Sequence, residues 1–252
     1  MASVIVNFLK THIRAEDFEI ISDDVAIVKK WNWDYLEALA FQEIANEFVY
    51  QNPTCSIIIF CSHPACFTIG RGLQRSSIET HSLKEHHPSL NEKISIPIHE
   101  IKRGGGITFH HPEQIVIYPI VNLTKKKLKV YDLINAIQAL IVDALVKEFK
   151  LEGLDYCREL LGLWKDEFKL ASVGLQVRRF VTFHGVALNL MPNSEINEHL
   201  KFTFPCGLPG SIYSSISEVV NDSYNDEKLR DSLIEIISKN LFIKTNEICP
   251  VS

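Results

Sequence analysis

"FKLASVGLQVRRFVTFHGVALNL", residues 168–190, constrains the fold more than any other stretch of the chain. Apolar residues alternate with small or polar ones on either side of Arg178 and Arg179, and a period of two is the mark of a strand whose faces differ. The simplest arrangement is an antiparallel hairpin turning at the arginines. In that register Lys169 shares a face with Ala171, Val173, Leu175 and Val177, while Ser172, Gly174, Gln176 and Arg178 take the other. A lysine in the apolar register either snorkels to water from the strand end or is buried, where its charged form is disfavoured unless an anion pairs with it. Gly174 and Gly185 interrupt the two strands, which marks either a bulge or the close approach of a ligand or another backbone.

Helices and strands interleave around this hairpin. "WNWDYLEALAFQEIANEFVYQNP" places Tyr35, Leu36, Leu39, Ala40, Ile44 and Phe48 at near-helical spacing, so an amphipathic helix is predicted to end before Pro53. "CSIIIFCS" reads as a buried strand leading into the loop "HPACFTIGRG", and residues 74–94 as a polar excursion. "EQIVIYPIVNL" is the next strand and "VYDLINAIQALIVDALVKEFK" a long helix. "NDEKLRDSLIEIISKNLF" closes the chain as a helix, with Asn221 or Asp222 as nearby caps. This order predicts an α/β (α+β) fold on a mixed sheet. With 252 residues, 46% of them hydrophobic, and neither repeat nor low-complexity linker, the chain is read as a single domain over residues 1–252.

Composition excludes several classes. A net charge of -5 gives no global basic field for nucleic acid. The N-terminal stretch turns charged within ten residues, so neither a signal peptide nor a membrane span is read there. The six cysteines are scattered without a CxxC pair, which points to free thiols in a reducing compartment, cytoplasmic or mitochondrial matrix.

Chemistry gathers in two further stretches. In "IKRGGGITFHHPEQIVIYPI" three glycines, Gly104 to Gly106, follow Arg103. Consecutive glycines destabilise regular structure and belong where something must approach the backbone closely. The run is no phosphate loop, because it lacks GxxxxGK[ST] and GxGxxG and precedes a strand. In "FTFPCGLPGSIYSSIS" Cys206 stands between Pro205 and Gly207 in a turn. It is either a small inert hydrophobe or an accessible nucleophile, which would need a cation or N–H donors to hold its thiolate. His110 and His111 are adjacent and point to opposite faces of a strand, and His81, His86 and His87 sit in the polar excursion, so no metal site is predicted. A Cys206–His110 or Cys206–His184 dyad stays open.

The blocks "HPACFTIGRG", "RGGGITFHHPEQIVIYPI", "KLASVGLQVRRFVTFHGVALNL" and "PCGLPGSIYSSIS", in this order, resemble the lipoyl(octanoyl) transferase family over most of residues 30 to 245. The resemblance implies a fold related to biotin protein ligases and lipoate ligases, a mixed sheet flanked by helices with the acyl group in a tunnel over the sheet. It implies that Cys206 is the nucleophile and Lys169 the lysine that lowers the thiol's pKa. Substrate contacts would fall on Arg103, Gly104, Gly105, Gly106, Ile107, Thr108, Phe109 and His110, on Ser172, Val173 and Gly174, and on Gly185, Val186 and Ala187. The implied reaction needs no cofactor: octanoyl passes from acyl carrier protein to Cys206, then to a lysine of an apo lipoyl domain. Acceptors would be lipoyl domains of 2-oxoacid dehydrogenases and the glycine cleavage H protein.

This chain departs from the family where HGPGQ becomes His110-His111-Pro112-Glu113-Gln114. The added side chains of His111 and Glu113 are expected to point to solvent. Partners in this family are acidic, as is this chain, so docking would use a local basic patch: Lys125 to Lys127, Lys129, Arg71, Arg178 and Arg179 are candidates, or else a solvated charge run. An ATP-using lipoate or biotin ligase, a non-catalytic acyl-binding homologue and a thiol hydrolase are the competing readings.

Overall fold

The computed structural model describes residues 3–70, 94–156, 161–200, 203, 209–220 and 224–248, the last five as backbone alone. The chain runs α1 (Val4–His12), β1 (Phe18–Ser22), β2 (Val25–Lys30), α2 (Tyr35–Gln51), β3 (Ser56–Cys61), β4 (Cys66–Ile69), β5 (Ile98–Glu100), β6 (Ile107–His110) and β7 (Gln114–Val121). Then follow α3 (Leu123–Lys126), α4 (Val130–Phe149), β8 (Leu154–Asp155), β9 (Gly162–Lys165), β10 (Phe168–Arg178), β11 (Val181–Asn189), α5 (Ser194–Leu200), α6 (Ile216–Val219) and α7 (Asp226–Ile248). Eight strands form one sheet in the order β1-β2-β3-β7-β11-β10-β9-β8, and β5-β4-β6 form a second. The parallel pair β2–β3 is bridged by α2, and the other pairs of the large sheet are antiparallel. The expected mixed sheet flanked by helices is what the chain folds into.

Both faces of the large sheet are covered, which is why its central strands read as unbroken apolar runs. Ile57, Ile59, Val116, Tyr118 and Ile120 pack toward α1 and α2. Their alternates Ile58, Phe60, Ile115 and Ile117 pack toward α4 and α7 with Leu133, Ile137, Leu140, Leu233 and Ile237. Each such fully buried aliphatic contributes about 2 kcal/mol. The near-fully buried side chain of Glu148 clasps the two long helices, accepting from Lys228 at 2.7 Å and Ser232 at 3.0 Å.

Helix α2 forms where the spacing predicts, capped by Asp34, whose carboxylate accepts from the Leu36 and Glu37 N–H groups. Its buried face is different: Ala38, Phe41, Gln42, Ala45, Asn46 and Val49 turn inward, while Leu36 and Ile44 are exposed. Small alanines let the helix approach the sheet, and the buried amides serve strand β11: Gln42 Oε1 accepts from the His184 N–H, and Asn46 Nδ2 donates to the Val181 carbonyl. The cap of α7 is Asn225, whose side chain accepts from the Lys228 N–H; Asn221 and Asp222 lie outside the described residues. The predicted loop after β3 contains β4, too short for its alternation to stand out.

Candidate active site

Three pieces of chain converge over the β10–β11 hairpin. In its register Ser172 faces Ala187, Val173 faces Val186 and Gly174 faces Gly185. The loop before β6 lies across β10, tied by the Gly104 N–H to the Leu175 carbonyl at 3.2 Å. Gly105 turns that loop at φ +77°, and the Gly106 carbonyl accepts from the Gly70 N–H at 3.0 Å. Between loop and sheet lies a cleft of about 290 Å³, counting its open mouth. Arg103, Thr108, His110, Ser172, Gly174, Gly185, Val186 and Ala187 all line it. Tyr35, Val116, Tyr118 and His184 complete the wall. Tyr35 and Tyr118 are missing from the sequence-based set, because each also fits a helix stripe or a buried strand.

Other residues of that set go elsewhere. Ile107 and Phe109 pack into the core of the small sheet with Phe67, Ile196 and Leu200. Val173 turns away toward the main core. A Cβ at Gly185 would sit 1.9 Å from the Ile117 carbonyl oxygen, so the close approach there is a neighbouring backbone. No bulge intervenes between β10 and β11 at either glycine. His184 itself is left-handed, φ +57°; the Pro119 carbonyl of β7 accepts from the Thr182 hydroxyl, and the His184 N–H goes to Gln42 Oε1.

Buried hydrogen-bonding groups stand behind the wall. The Arg103 guanidinium, 5% exposed, donates to the Thr68 carbonyl at 2.9 Å, the Thr68 hydroxyl at 2.8 Å and the Gly104 carbonyl at 2.9 Å. His63, in the predicted loop but buried beneath the cleft, donates from Nδ1 to the Trp33 carbonyl at 2.7 Å and accepts at Nε2 from the Tyr118 hydroxyl at 2.9 Å. Burial holds its pKa down at about 4. Burial and then Arg103 hold His184 at about 3, and burial foremost keeps His110 well below the ordinary imidazole range. All three rings are neutral at pH 7. Burial also pushes Tyr35 and Tyr118 above the usual phenol range. Among the described residues no three metal-binding side chains converge.

Lys169 is buried, 1% exposed, so it does not snorkel. A register shift against β9 between Lys169 and Ala171 breaks the period of two: Leu170 and Ala171 both enter the core. The Lys169 Nζ lies 5.4 Å from the Trp164 ring centre and 5.7 Å from that of Tyr213. Its carbonyl accepts from the Ser214 N–H at 3.1 Å. Cys206 lies outside the described residues, as do Arg71, His81, His86 and His87.

His111 departs from its expected exposure. It is 2% exposed, stacked on Phe109 at 5.9 Å, with Nδ1 3.1 Å from the Glu113 carboxylate. Burial lowers its pKa to about 4 despite that neighbour. Glu113 is half-buried; desolvation alone would raise its pKa, but hydrogen bonds from Asn193 and His111 outweigh it. The basic candidates fare differently again. Arg178 pairs with Glu43, Arg179 with Glu47, and Lys126 with Asp24. The hairpin tip stands nine strand residues from Lys169, roughly 30 Å.

A family model, lipoyl protein ligase A/B catalytic domain, matches residues 34–238. An octanoyltransferase of Bdellovibrio bacteriovorus is 30% identical over 81% of this chain and 94% of its own. One from Synechococcus sp. (strain WH7803) is 32% identical over 77% of this chain and 72% of its own. In fold the chain is similar to a crystal structure of lipoate-protein ligase A bound with ATP, at TM-score 0.58 and 12% identity, covering 86% of this chain and 85% of that one.

Proposed function

Because the chain belongs to the lipoyl protein ligase A/B catalytic-domain family, we propose that it transfers an octanoyl group to the ε-amine of a lysine on lipoyl domains. One observation carries the reading. Two stretches singled out separately for substrate contact, Ser172–Gly174 and Gly185–Ala187, are register partners, and Ser172, Gly174, Gly185, Val186 and Ala187 wall one cleft with Arg103, Thr108 and His110. The strand bearing the buried Lys169 forms part of that wall.

Octanoyl-acyl carrier protein is the donor in this reading. The Cys206 thiolate attacks the thioester carbonyl, the carrier's thiol leaves, and an octanoyl-enzyme thioester remains. The amine of the acceptor lysine then attacks that carbonyl, forming an amide and returning the sulfur. As an ammonium, Lys169 stabilises the Cys206 thiolate; it gives its proton to the carrier's departing thiolate and, now neutral, takes the proton the amine sheds. Its burial supports this role, because an ammonium stripped of water gains most from an adjacent anion and releases its proton more readily once that anion is gone. Exchanging a thioester for an amide runs downhill without ATP. Acceptors are lipoyl domains of 2-oxoacid dehydrogenases and the glycine cleavage H protein. Residues 1–252 act as one catalytic domain, in the cytoplasm or, in a eukaryote, the mitochondrial matrix. Among the described residues no helix is long and apolar enough to cross a membrane.

Intact mass tests the proposal. The purified chain, mixed with octanoyl-acyl carrier protein, is expected to gain one octanoyl group that apo lipoyl domain removes and Cys206→Ala abolishes. Product formed only with ATP and free octanoate, and no adduct, would establish the ligase reading that the family's ligase members keep open.

A further inference from the structure

A chain of buried amides runs from the cleft to the strand of Lys169, and its polarity can be read from its ends. The Ser214 carbonyl can only accept, so the Asn189 group 2.9 Å away is its Nδ2. The Asn189 Oδ1 therefore faces Gln114 and takes a hydrogen bond from Gln114 Nε2 at 2.9 Å. The same Nε2 donates to the Phe109 carbonyl at 3.3 Å, a second group that can only accept. Gln114 must then turn Oε1 to His110, 3.2 Å from Nδ1, and that nitrogen must carry the proton. Gln114 and His110 are 1% and 5% exposed, so water does not compete for these contacts. The far end closes on the catalytic strand, where the Ser214 N–H meets the Lys169 carbonyl.

The consequence is a fixed tautomer. His110 is held as the Nδ1–H imidazole, and its Nε2 is a bare lone pair on a ring that lines the cleft. Rings of Tyr35 and His63, with centres 5.4 Å and 5.3 Å away, brace it, and among the described residues Nε2 has no hydrogen-bond partner. The neighbouring imidazole is different, since His63 spends its own Nε2 on Tyr118. An acyl thioester brings no hydrogen-bond donor at its reacting centre. An attacking amine does.

We infer, resting on the octanoyl-transfer reading, that His110 Nε2 accepts a hydrogen bond from the attacking amine and aims its lone pair at the acyl carbon, and that Gln114 and Asn189 are positioning residues acting through His110. The amine's shed proton still goes to Lys169, because an imidazole this reluctant to ionise orients better than it abstracts. The role belongs to the second half-reaction alone.

The test has two arms. The first is the tautomer of His110 in the wild-type chain at pH 7, read by nitrogen-15 NMR on histidine-labelled protein and assigned with His110→Gln. A protonated Nδ1 with a bare Nε2 is expected; the opposite tautomer, or an imidazolium, overturns the inference whether or not the chain is active. The second compares half-reactions by quenched-flow mass measurement. In Gln114→Leu and Asn189→Asp the ratio of aminolysis to acylation is expected to fall about 10²-fold, the cost of misaiming a reacting group. His110→Leu is expected to lose as much, whereas His110→Gln, whose amide oxygen reaches near the Nε2 position, is expected to recover to within about tenfold. Equal loss in both half-reactions overturns it. If no octanoyl adduct forms on the wild type, the transfer reading has failed and the amine-orienting role falls with it, while the tautomer separately decides whether Gln114 and Asn189 fix the His110 ring.

Discussion

In the proposed mechanism Lys169 has two roles, holding the thiolate and carrying a proton. Replacing it with methionine keeps the volume and the contacts with Trp164 and Tyr213 while removing the ammonium. The expected outcome for Lys169→Met is an unchanged circular dichroism spectrum and a rate of octanoyl-adduct formation lower by about 10³-fold. A mutant that acylates at the wild-type rate would remove Lys169 from the mechanism. Gly185→Ala poses the opposite case. Its methyl would meet the Ile117 carbonyl, so it is expected to cost about 3 kcal/mol in urea unfolding. Lys169 could be singled out in the sequence because a lysine breaks an apolar alternation. His63, Tyr35 and Tyr118 could not, since a histidine before a proline, or a tyrosine in a helix stripe or strand, breaks no pattern.

At the level of elements, the hairpin turn stores avoidable strain. Arg179 and Phe180 occupy its two central positions at φ +50° and φ +64°, where side-chain-bearing residues pay about 1 kcal/mol each. Phe180 is two-thirds exposed, so little packing is lost by changing it. The pair Arg179→Asn with Phe180→Gly is expected to raise stability by about 1 kcal/mol, seen as a higher urea midpoint with the same slope; a lower midpoint would mean that the Arg179–Glu47 pair outweighs the strain. The hairpin and the long helices were legible because their periods are long enough to count. The inward face of α2 was not, since Gln42 and Asn46 are buried to satisfy a strand whose ladder with β7 stops at Val186, a need written 142 and 135 residues away. Strands β4 and β5 escaped for want of length, and the bulge beside Lys169 because alternation assumes none.

Across the whole molecule, buried neutral imidazoles tie folding to pH. His63, His111 and His184 have folded pKa values of about 4, 4 and 3, below the ordinary value near 6.5. The unfolded chain therefore binds their protons first, and the stability they confer is complete above about pH 6.5 and lost as pH falls toward 4. Each adds a slope of about 1.4 kcal/mol per pH unit in that window. Urea midpoints at pH 7, 6 and 5 are expected to fall progressively; a flat profile would mean that these rings take up protons equally in the folded and the unfolded chain. The two glycines that face each other across the hairpin have a different global consequence. Gly185 is pinned by the frame of the sheet, whereas a Cβ at Gly174 would press at 3.2 Å on Arg103 and Gly104, part of the loop that lies across β10. One wall of the cleft is thus fixed by the architecture and the other is adjustable. If the cleft holds the acyl chain as proposed, substitutions that change the accepted length are expected on the Gly174 side, where the Arg103 loop can shift, and not at Gly185, where the scaffold is fixed.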